Sequence, residues 1–220
     1  MDYEQPQPDS ESKVSPESEA TAEHGHKSAA DGTNSLPAPK AENPWLETLK
    51  TIGLSAVLAL GIRSFVAEAR YIPSGSMLPT LQIDDRLIID KISYRFSDPV
   101  RGDIIVFNPT AQLEKEKFKD AFIKRVIGVP GDRVDVKNGK VYINGKILTE
   151  KYLDEAPAYN WSSTSLTPDG IVPKDNYLVL GDNRNNSYDS HYWGFVPKDK
   201  IVGKATVRFW PIDRAGGINP

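Results

Sequence analysis

The chain has 220 residues and a formal net charge of −3. It has no cluster of lysines and arginines that could bind the phosphate backbone of a nucleic acid, so nucleic acid is not expected as a partner. The absence of cysteine excludes disulfides, thiolate metal sites and a cysteine nucleophile. Of the three histidines only His191 lies outside a polar N-terminal stretch, so a three-histidine metal site is not expected. We therefore expect neither a metal nor a cofactor.

The first segment, residues 1–43, is rich in Ser, Glu, Pro, Ala and Asp and has no hydrophobic periodicity. It buries too little apolar area to offset the entropy lost on ordering, so it is predicted to be a disordered tail. It lacks the charged start and apolar centre of a secretory signal peptide. A solvated spacer without a specific partner is the simplest interpretation.

A long apolar run follows at residues 44–68. Its uncharged centre, residues 51–62, would measure about 18 Å as a helix, which is shorter than the ~30 Å hydrocarbon core of a bilayer. The flanks give enough length if Lys50 and Arg63 extend their charges to opposite interfaces. We predict a single transmembrane helix over residues 44–68, with the lipid bilayer as its partner. The alternative is an apolar helix buried in a protein core or lying in the interface.

Residues 69–215 are predicted to form a compact domain of antiparallel β-sheets, so the fold class is mainly β, and residues 216–220 are its C-terminal end. Asn-Gly pairs at 138–139 and 144–145 separate β-prone runs, which predicts two hairpins and an antiparallel meander. Charged residues predict a loop at 110–120, and a second loop is predicted at 151–169. The strands are predicted at 86–90, 102–107, 121–129, 133–136, 140–143, 146–148, 177–180 and 200–210.

The turn after the apolar run carries a candidate nucleophile. Ser74 and Ser76 flank one glycine, and prolines stand on either side of them. Proline fixes φ and glycine permits close approach, so such a turn can hold a hydroxyl outward on a rigid support. A free hydroxyl is a weak nucleophile near neutral pH, so this function requires a base. An ordinary polar turn leaving a membrane helix is the alternative.

Two side chains are candidates for the base. His191 and Asp189 would complete a triad with Ser76, but a triad aspartate is normally buried and this loop is predicted to be exposed. Lys124 lies within an apolar strand, on the face that alternation gives to Phe122 and Val126. Burial there disfavours the ammonium form and lowers the lysine pKa, which would make the amine a usable base. The alternative is a lysine whose ammonium reaches solvent.

Four segments together resemble the motif boxes of type I signal peptidases, which are membrane-anchored Ser/Lys endopeptidases. The resemblance covers residues 45–210, and the short gap between residues 132 and 181 implies a compact catalytic domain. The run NNSYDSH is similar to the cyanobacterial and thylakoidal branch, with His191 where the family often has arginine. The four segments are PSGSMLPTL at 73–81, RGDIIVF at 101–107, KRVIGVPGD at 124–132 and GDNRNNSYDS at 181–190.

This resemblance implies a role for each matching residue. Ser76 would be the nucleophile and Lys124 the general base. The Ser74 hydroxyl and the Ser76 backbone N–H would form the oxyanion hole. Ser187 would hydrogen-bond the lysine amine and orient it, and Asp189 would support the site from behind.

The resemblance also implies the substrate and the location. Preproteins with an Ala-x-Ala-like site would add to the enzyme as an extended strand and be cut through an acyl-enzyme. A single-pass monomer in the plasma or thylakoid membrane is implied, with the catalytic domain on the periplasmic or lumenal side and the tail on the cytoplasmic or stromal side. The residues expected to bind substrate are Tyr71, Ile72, Pro73, Met77, Phe122 and Ile123.

Two other functions stay open at this point. A membrane-anchored β-domain of the same ancestry could bind apolar peptide ends without cutting them, but the intact Ser76, Lys124 and Ser187 argue against it. A soluble, self-cleaving repressor-like Ser/Lys peptidase would not need the apolar run, and it usually carries a DNA-binding domain that residues 1–43 do not resemble.

Overall fold

The structure, a computed structural model, describes residues 43–218, so residues 1–42 of the predicted tail lie outside the described residues. The described part begins with helix α1, Pro44–Phe65, in which no residue is buried and which is long and apolar enough to cross a membrane. The helix ends before the predicted boundary at residue 68. The reason is that Ala67 and Glu68 already belong to the first strand, where they pair with Asp90 and Ile89 of the second.

Twelve strands and three further short α-helices follow within residues 67–217. The strands are β1 Ala67–Tyr71, β2 Arg86–Asp90, β3 Ile104–Phe107, β4 Phe122–Gly128, β5 Val134–Lys137, β6 Lys140–Ile143, β7 Lys146–Ile147, β8 Trp161–Ser162, β9 Asn176–Leu180, β10 Val196–Pro197, β11 Ile201–Trp210 and β12 Gly216–Gly217. The helices are α2 Ser93–Phe96, α3 Ala111–Lys115 and α4 Ser190–Trp193.

The strands form two antiparallel sheets, which confirms the predicted fold class. The large sheet has eight strands in the order β1-β2-β11-β3-β4-β9-β10, with β12 paired to β11. The small sheet has the order β7-β6-β5-β8. Its two hairpins turn at Asn138-Gly139 and Asn144-Gly145, where all four residues have positive φ, as the sequence predicts.

The large sheet departs from a simple meander. Strand β11, which is late in the sequence, lies between β2 and β3 and pairs with both. The predicted loop at 110–120 contains α3, because Thr110 caps it by accepting a hydrogen bond from the Leu113 N–H and Leu113 is buried. The predicted loop at 151–169 contains β8, which pairs with β5.

A buried ion pair joins the strands that carry the site. Arg125 on β4 and Asp182 just after β9 are both buried. Their contact is bidentate, with Nε to Oδ1 at 2.8 Å and Nη2 to Oδ2 at 2.7 Å. Arg125 Nη1 also donates to the carbonyl of Gly102 at 2.8 Å, and the Thr80 hydroxyl donates to Asp182 at 2.5 Å. Four chain segments are therefore tied to one pair of charges.

We predict that Asp182→Ala destabilises the fold strongly, because it leaves the Arg125 guanidinium buried without a counter-charge. The expected loss in the free energy of unfolding is about 3–5 kcal/mol, measured by urea unfolding of the detergent-solubilised chain. The matched control is Asp98→Ala, which removes an exposed partner of Lys198 and should change stability little. Equal losses in the two variants would contradict the structural role of the buried pair.

Candidate active site

The turn that carries Ser76 is fixed by a buried side chain and by hydrogen bonds from Asn183. Residues Gly75–Met77 form a single 3₁₀ turn, preceded by Ser74 in an extended conformation. Met77 is fully buried and anchors the turn in the core. Asn183 makes two hydrogen bonds to the turn. Its side-chain Nδ2 donates to the Gly75 carbonyl at 3.0 Å, and its backbone N–H donates to the Ser76 carbonyl at 3.1 Å. Sequence analysis missed this role of Asn183.

Lys124 on β4 contacts this turn directly. Its Nζ lies 2.7 Å from Ser76 Oγ and donates to the Ile123 carbonyl at 3.0 Å. Burial lowers the pKa of Lys124 to about 8, and the negative charges of Asp189 and Asp182 act in the opposite direction. Near that pH a large fraction of the amine is neutral and can accept a proton from the hydroxyl. Within residues 43–218, no cluster of His, Asp and Glu that could bind a metal is present.

Ser187 lies beside this pair, but the hydrogen bond predicted between its hydroxyl and the Lys124 amine is not formed. The amine bonds to Ser76 and to the Ile123 carbonyl instead, and Ser187 Oγ is buried without a partner among the described residues. Because Gly181 has no side chain, Ser187 can approach the Ser76 carbonyl closely. A Cβ added there would lie 2.2 Å from Ser187 Oγ and 2.4 Å from the Ser76 carbonyl oxygen.

Asp189 is completely buried, although Asn185, Asn186 and Tyr188 of the same loop are exposed as predicted, so the objection that this aspartate would be exposed does not hold. Its Oδ2 accepts the Gly181 N–H at 2.9 Å, and its Oδ1 lies 2.7 Å from His191 Nδ1. Asp189 also caps α4, whose Trp193 is buried and draws the loop into the core. The aspartate and histidine of a triad therefore meet, yet in the described part of the chain Ser76 bonds to Lys124 and not to His191.

A cavity of about 380 Å³ opens above Ser76 and Lys124. Three of the predicted substrate residues, Pro73, Phe122 and Ile123, line it, as do Ser74 and Ser76. The other lining residues are Gly75, Phe118, Asp120, Ala121, Lys124, Asn186 and Tyr188.

Three residues predicted to bind substrate do not line this cavity. Ile72 and Met77 are buried in a core cluster with Leu81, Leu87 and other side chains, against which Ile123 of the cavity lining packs. Tyr71 is exposed at the end of β1 and also lies outside the cavity lining. Phe118 was missed, and its only signal is that it is a lone aromatic in a charged segment.

The strand edge beside the cavity is open. Residues Phe122, Ile123 and Lys124 pair with β3, whereas the pairing of β4 with β9 begins at Arg125. Among the described residues no strand pairs with the other edge of residues 122–124. An extended peptide can therefore add to this edge with its backbone next to Ser76.

Comparison of the chain with known proteins identifies its family. Residues 45–210 match the family described as signal peptidase, peptidase S26. The chain is 63% identical over 175 residues to a probable signal peptidase I-2 of a Synechocystis species, covering 80% of this chain and 78% of that protein. It is 59% identical over 184 residues to signal peptidase I of Leptolyngbya laminosa, covering 83% and 88%.

A plant relative extends the similarity. Thylakoidal processing peptidase 1 of Arabidopsis thaliana is 38% identical over 170 residues, covering 75% of this chain and 48% of that protein. The resemblance found in the four sequence segments is thereby confirmed, including its branch. The chain belongs to the peptidase S26 family of type I signal peptidases, on its cyanobacterial and thylakoidal branch, and is a serine protease of the class that removes signal peptides from preproteins.

Proposed function

We propose that the chain cuts preproteins after Ala-x-Ala-like sites, with Ser76 as nucleophile and Lys124 as general base. The observation that carries this proposal is the 2.7 Å contact between Lys124 Nζ and Ser76 Oγ at the base of an open cavity. The lowered pKa of the buried amine supports the assignment of the base. The open edge of residues 122–124 supports binding of the substrate as an added strand.

The reaction follows from this geometry. Lys124 takes the Ser76 proton as Oγ attacks the scissile carbonyl, and the oxyanion accepts hydrogen bonds from the Ser74 hydroxyl and the Ser76 N–H, each worth roughly 3–4 kcal/mol. Lys124 then gives the proton to the departing amine, which leaves an ester on Ser76. Lys124 deprotonates a water that attacks the ester, and it returns that proton to Ser76 Oγ as the acyl–oxygen bond breaks. Asp189 supports the site by holding the Gly181 N–H and the His191 ring.

The membrane helix sets where this reaction takes place. Helix α1 exposes its apolar side chains over its whole length, and only strand β1 and a short turn separate it from Ser76. A monomer anchored by α1 therefore keeps the 69–215 catalytic domain at the bilayer surface. We propose a plasma or thylakoid membrane, with that domain on the periplasmic or lumenal side and residues 1–43 on the opposite side.

The direct test uses detergent-solubilised wild type, Ser76→Ala and Lys124→Ala with a preprotein that carries an Ala-x-Ala site. Mass spectrometry should find a cut after the second alanine with wild type alone, because each variant lacks either the nucleophile or the base. Ser187→Ala should keep partial activity, because its hydroxyl makes no hydrogen bond to the pair but packs beside the Ser76 carbonyl. Unfolding curves confirm that each variant is folded. Wild-type rates in folded Lys124→Ala would refute the assignment of the base.

The pH dependence provides a second test. Protonated Lys124 cannot accept the Ser76 proton, so kcat/KM should rise about tenfold per pH unit below a pKa of about 8 and level off above it. Asp189→Asn removes a negative charge that raises this pKa, so the rising limb should move to lower pH. The control is Asp199→Asn, an exposed residue that should leave the limb in place. An unmoved limb in folded Asp189→Asn would contradict the electrostatic coupling.

A further inference from the structure

A second cavity, of about 610 Å³, adjoins the catalytic one. The two share Asn186 and Tyr188, and Ser187, which stands between these residues in sequence, also lines the second cavity. We call it the aromatic cavity. Its lining includes Tyr159, Trp161, Ser187, Tyr188, His191 and Tyr192. Its volume is typical of ligand-binding sites.

Aromatic rings that support one another form its wall. The His191 ring stacks on Tyr159 with centroids 4.6 Å apart and lies 3.9 Å from the Tyr192 ring. Tyr188 lies 5.2 Å from Tyr192, and Trp161 meets His191 edge-on. Tyr192 is nevertheless 63% exposed. A contiguous, preformed aromatic surface of this kind marks a site of binding.

Polar groups in the lining are unused. The hydroxyls of Tyr159 and Ser187 are buried, and neither has a hydrogen-bond partner among the described residues. Buried polar groups normally have partners, so these two unpaired hydroxyls set this wall apart from the rest of the described interior. The charges are already matched, because Arg184 pairs with Glu150 at 2.5 Å and His191 faces Asp189. The chemistry favours an uncharged occupant with a planar or bulky apolar side chain.

We propose that the aromatic cavity binds the segment of the preprotein that follows the scissile bond. This inference rests on the proposed function, in which the residues before the bond lie along the edge of residues 122–124. The chain must then leave the catalytic cavity past Ser76. Ser187 packs against the same small space beside the Ser76 carbonyl and also lines the aromatic cavity, so the exit leads there.

Binding at this place would serve cleavage. A cleft that accepts only small side chains gains little binding free energy from apolar contact. Binding at a distance from the reacting bond can supply the missing binding free energy. An extended segment can stack an aromatic or large apolar side chain on Tyr188 and Tyr192, which are both exposed. The first residues of the mature protein would thus determine how fast it is released.

The test compares two peptides that are identical up to the cut. One continues for eight uncharged residues that include phenylalanine, and the other ends one residue after the cut. We expect Tyr192→Ala to lower kcat/KM about three- to tenfold for the long peptide and to leave the short one unchanged. Tyr192→Phe should restore the rate, because it keeps the ring. Phe96→Ala, which removes an exposed aromatic on α2, is the control.

A binding measurement is independent of the reaction. The fluorescently labelled segment that follows the cut should bind Ser76→Ala protein and bind more weakly when Tyr192→Ala is added, as read by anisotropy. Equal rate losses on both peptides, no loss on either, or unchanged binding of the segment would overturn the inference while leaving the peptidase assignment intact. Failure of wild type to cut either peptide would instead refute the proposed function, and the inference with it.

Discussion

The geometry of the site depends on the buried contact between Arg125 and Asp182. Neighbouring residues of a strand point to opposite faces, so fixing Arg125 toward Asp182 directs Lys124 toward Ser76. Asp182 lies next to Gly181 and Asn183, which approach and grip the Ser76 turn. One ion pair therefore sets the relative position of both halves of the candidate site, although neither partner touches the reacting atoms.

Burial of Lys124 has an energetic cost that its surroundings must bear. A fall in pKa from 10.5 to about 8 corresponds to roughly 3 kcal/mol of differential stabilisation of the neutral form. Asp189 limits that shift, because its charge favours the ammonium. Asp189 is itself held by the Gly181 N–H and by His191. The basicity of the amine is thus a balance between an apolar strand and one buried carboxylate.

Sequence patterns predicted those parts of the molecule that depend on local chemistry. Strand β2 has the predicted bounds and both hairpins turn at the predicted Asn-Gly pairs, because alternation and positive-φ turn residues are local signals. The placement of β11 between β2 and β3 is a long-range pairing that no local pattern carries. Burial of Ile72 and Met77 could not be predicted either, since both lie in an irregular turn without a periodicity that assigns their faces.

Within the candidate site, too, the sequence predicted features that depend on local residues or family motifs, and it did not predict features that depend on long-range packing. Apolar neighbours left two possibilities for Lys124, a buried amine or one that reaches solvent. The family motifs favoured the buried base in contact with Ser76, which the structure shows. The burial of Asp189 depends on the packing of Trp193 and α4 into the core. The predicted hydrogen bond from Ser187 is absent because the Lys124 amine bonds to the Ile123 carbonyl instead. Both are properties of three-dimensional packing.

The open edge at residues 122–124 has a consequence for substrate choice. It offers main-chain hydrogen bonds over three residues only, so it suits one short extended strand and is too short to pair stably with a second copy of the sheet. A helix satisfies its own backbone groups and has none to offer such an edge. A polypeptide whose cleavage region stays helical would pass this enzyme uncut, so the conformation of the chain at the cut, and not its residues alone, acts as the selector.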